Sequence, residues 1–228
     1  ATDPAAETYE FINVGCGLTP TSEHTTSSLS FDGGTINLTG LQEGSKGRIS
    51  AQNLNSTEEQ TLPVSLNFSS NTVINSENVL IFSGSTSGDL AEYNVNATIN
   101  LNGTLNVRKN IGSEETPDWQ YNSIELASSS AKATGLYFNI NGEVNASTYS
   151  QNNETNLTGT MNLMGTPVAG DTSVFKVDGE NGVFNIKSGG IVNVNTTGAD
   201  TTYVSAWVRE GGTLNVESGG SLFTTSKF

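Results

Sequence analysis

The segment Gly182-Val183-Phe184-Asn185-Ile186-Lys187-Ser188-Gly189-Gly190 returns thirty residues later as Gly212-Thr213-Leu214-Asn215-Val216-Glu217-Ser218-Gly219-Gly220. The first Gly, the Asn, the Ser and the closing Gly pair coincide, and the residues on either side of Asn are apolar in both copies. At the same shift, Val174 falls on Val204. Five identities in nine positions, with the apolar phase kept, indicate an internal repeat.

The centre of the repeat is the phrase apolar-Asn-apolar. Alternation at period two is typical of a β-strand that places its apolar residues on one face and Asn on the other. We take seven of these asparagines as one series, predicted to stack as a hydrogen-bonded amide ladder: Asn37, Asn67, Asn100, Asn139, Asn162, Asn185 and Asn215. Their recurrence at intervals of tens of residues predicts a solenoid that places one such strand in each coil.

The repeat fixes the expected domain organisation. We predict an all-β parallel solenoid over residues 31–228, preceded by an irregular N-terminal cap over residues 1–30. Eight or nine coils at about 4.8 Å each would make a rod on the order of 40 Å long. Residues 108–122 and 146–156 are polar and are predicted to protrude as loops. The apolar pair just before the last residues suggests a single continuous domain cut from a longer protein.

Composition excludes several classes of protein. The chain has 228 residues and a formal net charge of −14, so it would repel nucleic-acid phosphates and is not expected to bind DNA or RNA. No apolar run reaches the roughly 18 residues of a membrane-spanning helix, so we expect no membrane insertion. Gly, Ser, Thr and Asn make close to half of the chain. A narrow apolar column shared by stacked coils explains how such a polar chain could fold.

Few residues are available for metal or nucleophilic chemistry. Cys16 is the single cysteine and His24 the single histidine, which excludes a disulfide framework and argues against a histidine-dependent metal site or a Ser-His triad. Residues 178–181, Asp-Gly-Glu-Asn, resemble part of a Ca²⁺ loop but lack its twelve-residue pattern. An ordinary turn is the favoured interpretation, and we expect no metal site, no cofactor and no catalytic residue.

A family resemblance rests on the units Gly33-Gly34-Thr35-Ile36-Asn37-Leu38 and Gly211-Gly212-Thr213-Leu214-Asn215-Val216. They resemble the repeats of bacterial surface β-solenoids over roughly residues 31–223. The first choice is the binding region of serine-rich-repeat adhesins from lactobacilli, which has a pectin-lyase-like, right-handed parallel β-helix; the second is the passenger domain of autotransporters. The resemblance implies a cell-wall-anchored or secreted adhesin at a bacterial cell surface. Its partners would be glycans or glycoproteins of a host or plant surface, such as mucin or pectin-like chains, with pH-dependent binding, and we expect a monomer.

Aromatic residues beside cations mark the candidate binding residues, because sugars lie on exposed aromatic faces while polar groups take their hydroxyls. At period two, one face of the segment 203–209 carries Tyr203, Ser205, Trp207 and Arg209, opposite Val204, Ala206 and Val208. If the small aliphatic residues face the core, the first face points to solvent and is the best candidate for ligand binding. The favoured interpretation is nevertheless that Trp207 packs under a neighbouring loop. A second cluster contains Arg108, Lys109, Trp119 and Tyr121.

Two alternatives to an adhesin stay open at this point. The first is a polysaccharide lyase or hydrolase of pectin-lyase-like fold, and a hydrolase needs two carboxylates about 5–10 Å apart. Asp178, Glu180 and Glu210 are the candidates for such a pair. The second alternative is a structural stalk. Because many of the 23 acidic residues would be protonated near pH 4, an adhesin of this charge should bind an anionic glycan more tightly at acidic pH.

Overall fold

The computed structural model describes residues 11–16, 26–38, 47–53, 63–77, 79–83, 93–128, 133–165, 173–195 and 204–224. These residues form 22 strands. None of them is helical, and no described segment is a helix long and apolar enough to cross a membrane. The strands are β1 Phe11–Cys16, β2 Ser27–Phe31, β3 Gly34–Leu38, β4 Gly47–Asn53, β5 Val64–Phe68, β6 Thr72–Ser76, β7 Val79–Ser83, β8 Tyr93–Leu101, β9 Thr104–Asn110, β10 Trp119–Tyr121, β11 Ser123–Ser128, β12 Ala133–Ile140, β13 Glu143–Ala146, β14 Thr148–Gln151, β15 Glu154–Leu157, β16 Thr160–Leu163, β17 Ser173–Asp178, β18 Val183–Ile186, β19 Ile191–Val194, β20 Val204–Arg209, β21 Thr213–Val216 and β22 Ser221–Thr224.

The strands wind into three parallel sheets, which confirms the predicted β-solenoid. The first sheet has the order β1-β4-β7-β11-β14-β17-β20. The second is β2-β5-β8-β12-β15-β18-β21, and the third is β3-β6-β9-β13-β16-β19-β22 with β10 added beside β9. Each coil contributes one strand to each sheet, so the described residues form seven coils rather than the predicted eight or nine. At about 4.8 Å per coil the stack is on the order of 30 Å long.

The solenoid begins before the predicted boundary at residue 31. β1 pairs with β4 and β2 pairs with β5, both in parallel register. These two strands therefore belong to the first coil, although they lie in the segment predicted as a cap. Residues 1–10 and 17–25 lie outside the described residues.

The asparagines form two ladders on the outer faces of the second and third sheets, not one. In each ladder the side-chain amide donates to the side chain of the coil before it, at 2.8–3.3 Å. The second-sheet ladder is Ser30, Asn67, Asn100, Asn139, Asn156, Asn185 and Asn215. The third-sheet ladder is Asn37, Asn75, Asn106, Asn145, Asn162 and Asn193. The predicted single series was wrong in placing Asn37 and Asn162 with the other five, because five of the seven described coils carry an Asn strand in both sheets.

The residues that alternate with the ladders fill the interior. In β5, for example, Val64, Leu66 and Phe68 are buried while Ser65 and Asn67 face outward. In-register stacking repeats this burial coil after coil, so one apolar column runs through the described coils. Each coil hides its apolar side only because its neighbours cover it.

Three successive turns from the second sheet to the third require glycine. A Cβ at Gly142 would lie 2.0 Å from the carbonyl oxygen of Gly103, and a Cβ at Gly159 would lie 1.9 Å from that of Gly142. At Gly103 it would lie 2.1 Å from the carbonyl oxygen of Thr72. Successive turns are thus stacked backbone on backbone, with no room for a side chain between them.

The interior also holds a small polar network. The hydroxyls of Tyr149 and Thr155 lie 2.7 Å apart, and both bond to Oε1 of Gln151. All three residues are buried, and Nε2 of Gln151 has no hydrogen-bond partner. The ring of Tyr149 packs against Phe175 and Phe184, with centroids 6.1 and 5.7 Å away. Burial raises the pKa of the Tyr149 hydroxyl above its usual range, against the opposing effect of the bond to Thr155.

Three local predictions need correction. Residues 146–156 are not a protruding loop, because β14 and β15 lie in this segment and pair within the coils. In residues 108–122 the chain forms an antiparallel hairpin of β9 and β10, whose connection, residues 111–118, is exposed together with Lys109, Trp119 and Gln120. Val204 pairs with Ser173 and not with Val174. The first-sheet offset is one residue longer because the turn after β17 has four residues and the turn after β20 has three.

Candidate ligand-binding site

The outer face of the first sheet, over its last four strands, carries a varied set of polar and aromatic side chains. Glu125, Ser150, Lys176 and Trp207 stand in register on β11, β14, β17 and β20. The residues between them point inward to the apolar column. We call this surface, with Asp178 and Arg209 beside the last two, the first-sheet outer face. It has no asparagine ladder.

Trp207 is the aromatic platform of this face. It is 36% exposed, which agrees with the solvent-facing interpretation and not with the favoured one, in which the ring packs under a loop. The guanidinium carbon of Arg209 lies 5.1 Å from the centre of its ring, within cation–π range. Lys176 is its register neighbour on β17, so two cations lie next to Trp207, one along its strand and one across the sheet.

Asp178 holds the two cations in place. Arg209 donates to both carboxylate oxygens, from Nε to Oδ1 at 3.0 Å and from Nη2 to Oδ2 at 2.8 Å. Lys176 Nζ lies 2.9 Å from Oδ2. These contacts, the Arg209 bonds above all, hold the pKa of Asp178 below its usual range although partial burial opposes them. The network of Lys176, Asp178 and Arg209 therefore carries a net charge of one positive unit.

A shallow cleft of about 100 Å³ lies next to this network. Its lining is mostly polar and comes from three adjacent strands and the residues beside them: Glu125, Leu126, Ser150, Gln151, Asn152, Lys176 and Asp178. The cleft offers hydrogen-bond donors and acceptors within a few ångströms of the Trp207 strand. An aromatic face beside such a polar cleft can bind the apolar and the hydroxylated sides of a sugar chain together.

The second predicted cluster lies on the β9–β10 hairpin of the third sheet. Arg108 pairs with Tyr121, and its guanidinium carbon lies 4.0 Å from the ring centre of Trp119. Trp119 is 43% exposed and Lys109 is exposed. Nε of Arg108 is buried and makes no hydrogen bond. The structure therefore brings Arg108, Trp119 and Tyr121 together on one face of the hairpin, whereas Lys109 pairs with Gln120 on the opposite face. All four residues lie on a different sheet from Trp207.

Three members of the predicted 203–209 pattern need comment. Tyr203 lies outside the described residues. Ser205 is fully buried, against the prediction, and the register places it beside Val174, which is buried too. The strands are therefore covered on both faces at their N-terminal ends. Val208 points inward as predicted but is 39% exposed, since it lies in the last described coil and no described strand covers it.

The geometry does not favour the carboxylate pair considered for a hydrolase. Both oxygens of Asp178 are bonded to cations, and its lowered pKa is unsuited to a general acid. Glu180 and Glu210 are exposed in turns. Residues 179–182 form a turn closed by a bond from Gly182 N to Gly179 O at 2.9 Å. Among the described residues, no three His, Cys, Asp or Glu side chains come together in a way that could hold a metal.

Lys176, Glu125, Ser150 and Asn152 were missed by the sequence reasoning. The signal that could have found Lys176 is the 31-residue offset of the first sheet, which brings Lys176 to Trp207 and Asp178 to Arg209. The other three residues come from coils with different spacings. Comparisons with protein-family models, with curated proteins and with solved structures give no match for this chain.

Proposed function

We propose that this chain is the non-catalytic, glycan-binding region of a bacterial cell-surface adhesin, and that the first-sheet outer face binds the glycan. Its partners in this proposal are polysaccharide or mucin-type chains of a host or plant surface. The observation that carries the proposal is the exposed Trp207 ring, which has Arg209 against it and Lys176 as its register neighbour. An aromatic ring gives stacking area for a sugar, and the cations beside it give donors for hydroxyls and carboxylates.

The length of the row of outward-facing residues across the first sheet supports an extended ligand. Glu125, Ser150, Lys176 and Trp207 form a row that crosses four strands, so it spans about 14 Å at the usual strand separation. A chain of a few sugar units would cover the row and the cleft together. Arg209 and Asp178 already hold each other in place without a ligand. Less side-chain entropy is therefore lost when a ligand binds to them.

The test is a glycan array and titration series at several pH values between 4 and 7, with pectins and mucin-type oligosaccharides as probes. We expect at least one of them to bind the wild-type chain, and Trp207→Ala to weaken that binding about tenfold or more, roughly 1.4 kcal/mol. Tyr137→Ala is the matched control, because Tyr137 is 40% exposed but lies on the second sheet. No binding at any pH would favour a structural stalk.

An enzyme assay separates the remaining alternative. Pectin incubated with the protein, with and without Ca²⁺, should release no reducing ends and no unsaturated uronates. Release of either product that is abolished by Asp178→Asn would replace the adhesin proposal with a polysaccharide-degrading enzyme.

A further inference from the structure

The third-sheet ladder stops one coil before the sheet does. β22 pairs with β19 so that Phe223 stands beside Asn193, at the position where each earlier coil has Asn. The side-chain amide of Asn193 donates to Asn162 at 2.9 Å, as in the rest of the ladder. Phe223 has no side-chain amide, so it cannot donate to Asn193 as an asparagine at this position would. Among the described residues, no donor reaches Oδ1 of Asn193.

A cavity of about 280 Å³ opens at this break. Its described lining combines apolar groups with amides and a hydroxyl, and it contains no charged side chain: Asn162, Met164, Asn193, Val194, Asn195, Phe223 and Thr224. Phe223 is 58% exposed. The cavity thus has one exposed aromatic face and, beside it, the amide oxygen of Asn193, which accepts no hydrogen bond from a described residue.

We propose that this cavity is a second binding site, and that it takes a single neutral pyranose ring. The apolar CH face of such a ring would lie on Phe223, and a hydroxyl would donate to Oδ1 of Asn193. The absence of charge from the described lining and the chain's net charge of −14 favour a neutral sugar over an acidic one.

The size of the cavity limits the ligand. It is close to the lower end of the roughly 300–1,000 Å³ range of pockets that bind drug-sized ligands, so it suits one ring better than an extended chain. The site lies on the third sheet and does not depend on the proposed function of the first-sheet outer face.

Saturation-transfer NMR with methyl glycosides of glucose, galactose and mannose tests the proposal. Each glycoside is used at about 10 mM, above the millimolar Kd expected for one ring. We expect saturation of the ring protons of at least one glycoside with the wild-type chain. The informative variant is Phe223→Asn, because Asn continues the ladder, satisfies Asn193 and removes the aromatic face together. The signal should disappear in this variant while its thermal stability is equal or higher.

Two further variants make the result decisive. Phe223→Trp keeps an aromatic face and should keep the signal, and Tyr137→Ala, on the second sheet, should leave it unchanged. An undiminished signal in Phe223→Asn, or none from any of the three glycosides with the wild-type chain, overturns the proposal. If Trp207→Ala removes the signal and Phe223→Asn does not, single sugars bind to the first sheet, and only the present inference fails.

Discussion

Replacing Gly142 by Ala should destabilise the solenoid strongly, although Ala is the smallest possible addition. The Cβ of Ala would lie 2.0 Å from the carbonyl oxygen of Gly103 and 2.5 Å from that of Asn102. Both are backbone atoms, so no side-chain rotation can relieve the overlap. The two coils must separate by about 1 Å at this turn to restore ordinary contact.

The separation would lengthen the backbone hydrogen bonds between the two coils, and this sets the loss of folding free energy. Gly142 N donates to Leu101 O at 3.0 Å, and Glu143 N donates to Gly103 O at 3.0 Å. Overpacking costs about 1–3 kcal/mol, and each weakened hydrogen bond costs up to about 1 kcal/mol. The loss of unfolded-state entropy on replacing Gly by Ala returns about 0.4–1 kcal/mol. We therefore expect the free energy of unfolding to fall by about 2–4 kcal/mol.

The matched control is Gly179→Ala. Gly179 has a φ of +75° but nothing within 4 Å of an added Cβ, so this substitution tests backbone conformation without crowding. It should cost about 1 kcal/mol, the lower end of the penalty for an L-residue in the left-handed region. Urea unfolding followed by circular dichroism measures both variants. If Gly142→Ala costs less than Gly179→Ala, the close stacking of the turns does not limit this fold.

Three more predictions concern stability. Asn145→Ala removes a bond to Asn106 and one from Asn162, so urea unfolding should show a loss of about 1–3 kcal/mol, roughly twice that of Asn215→Ala, which removes only the bond to Asn185. Asp178→Asn should cost about 1 kcal/mol at pH 7. Because the folded-state pKa of Asp178 is lowered, its contribution is present above the unfolded value near pH 4 and is lost as the pH falls through the folded pKa, so unfolding midpoints of the two proteins should converge in strong acid. For Tyr149 the raised pKa works in the opposite direction: its stabilisation is complete below pH 10 and declines above it, and tyrosinate absorbance should show one of the six tyrosines failing to ionise in the folded chain and ionising only on unfolding. Tyr149→Phe should abolish that late ionisation, and an unchanged titration would contradict the buried network.

The fold could be predicted from the sequence because its main determinant is local. The pattern apolar-Asn-apolar shows within three residues which face of a strand is buried and which is exposed. Its recurrence along the chain predicts that the strands stack. The number of coils and the assignment of ladders could not be predicted so directly. Most coils contain two Asn strands, and spacing alone does not say whether Asn162 follows Asn145 or Asn139.

The candidate site was predicted in part, for a related reason. Trp207 and Arg209 follow from alternation within one strand, and the structure places both on one face. Their contacts with Lys176 and Asp178 depend on a register of 31 residues, one more than the second-sheet repeat shows. That difference arises from a single extra turn residue. The burial of Ser205 depends on what covers the strand ends, which alternation within a strand does not report.

The asparagine ladders and the proposed glycan-binding surface lie on different faces of this solenoid. The second and third sheets repeat the same amide from coil to coil, and these residues are fixed by the hydrogen bonds they exchange. The first-sheet outer face has no ladder, so its residues are free to differ, and there the row reads Glu125, Ser150, Lys176 and Trp207. At Phe223 the third-sheet ladder gives way to an exposed ring. Both proposed sites lie where the repeat is not kept, which is expected if a ligand, and not the neighbouring coil, determines the residue.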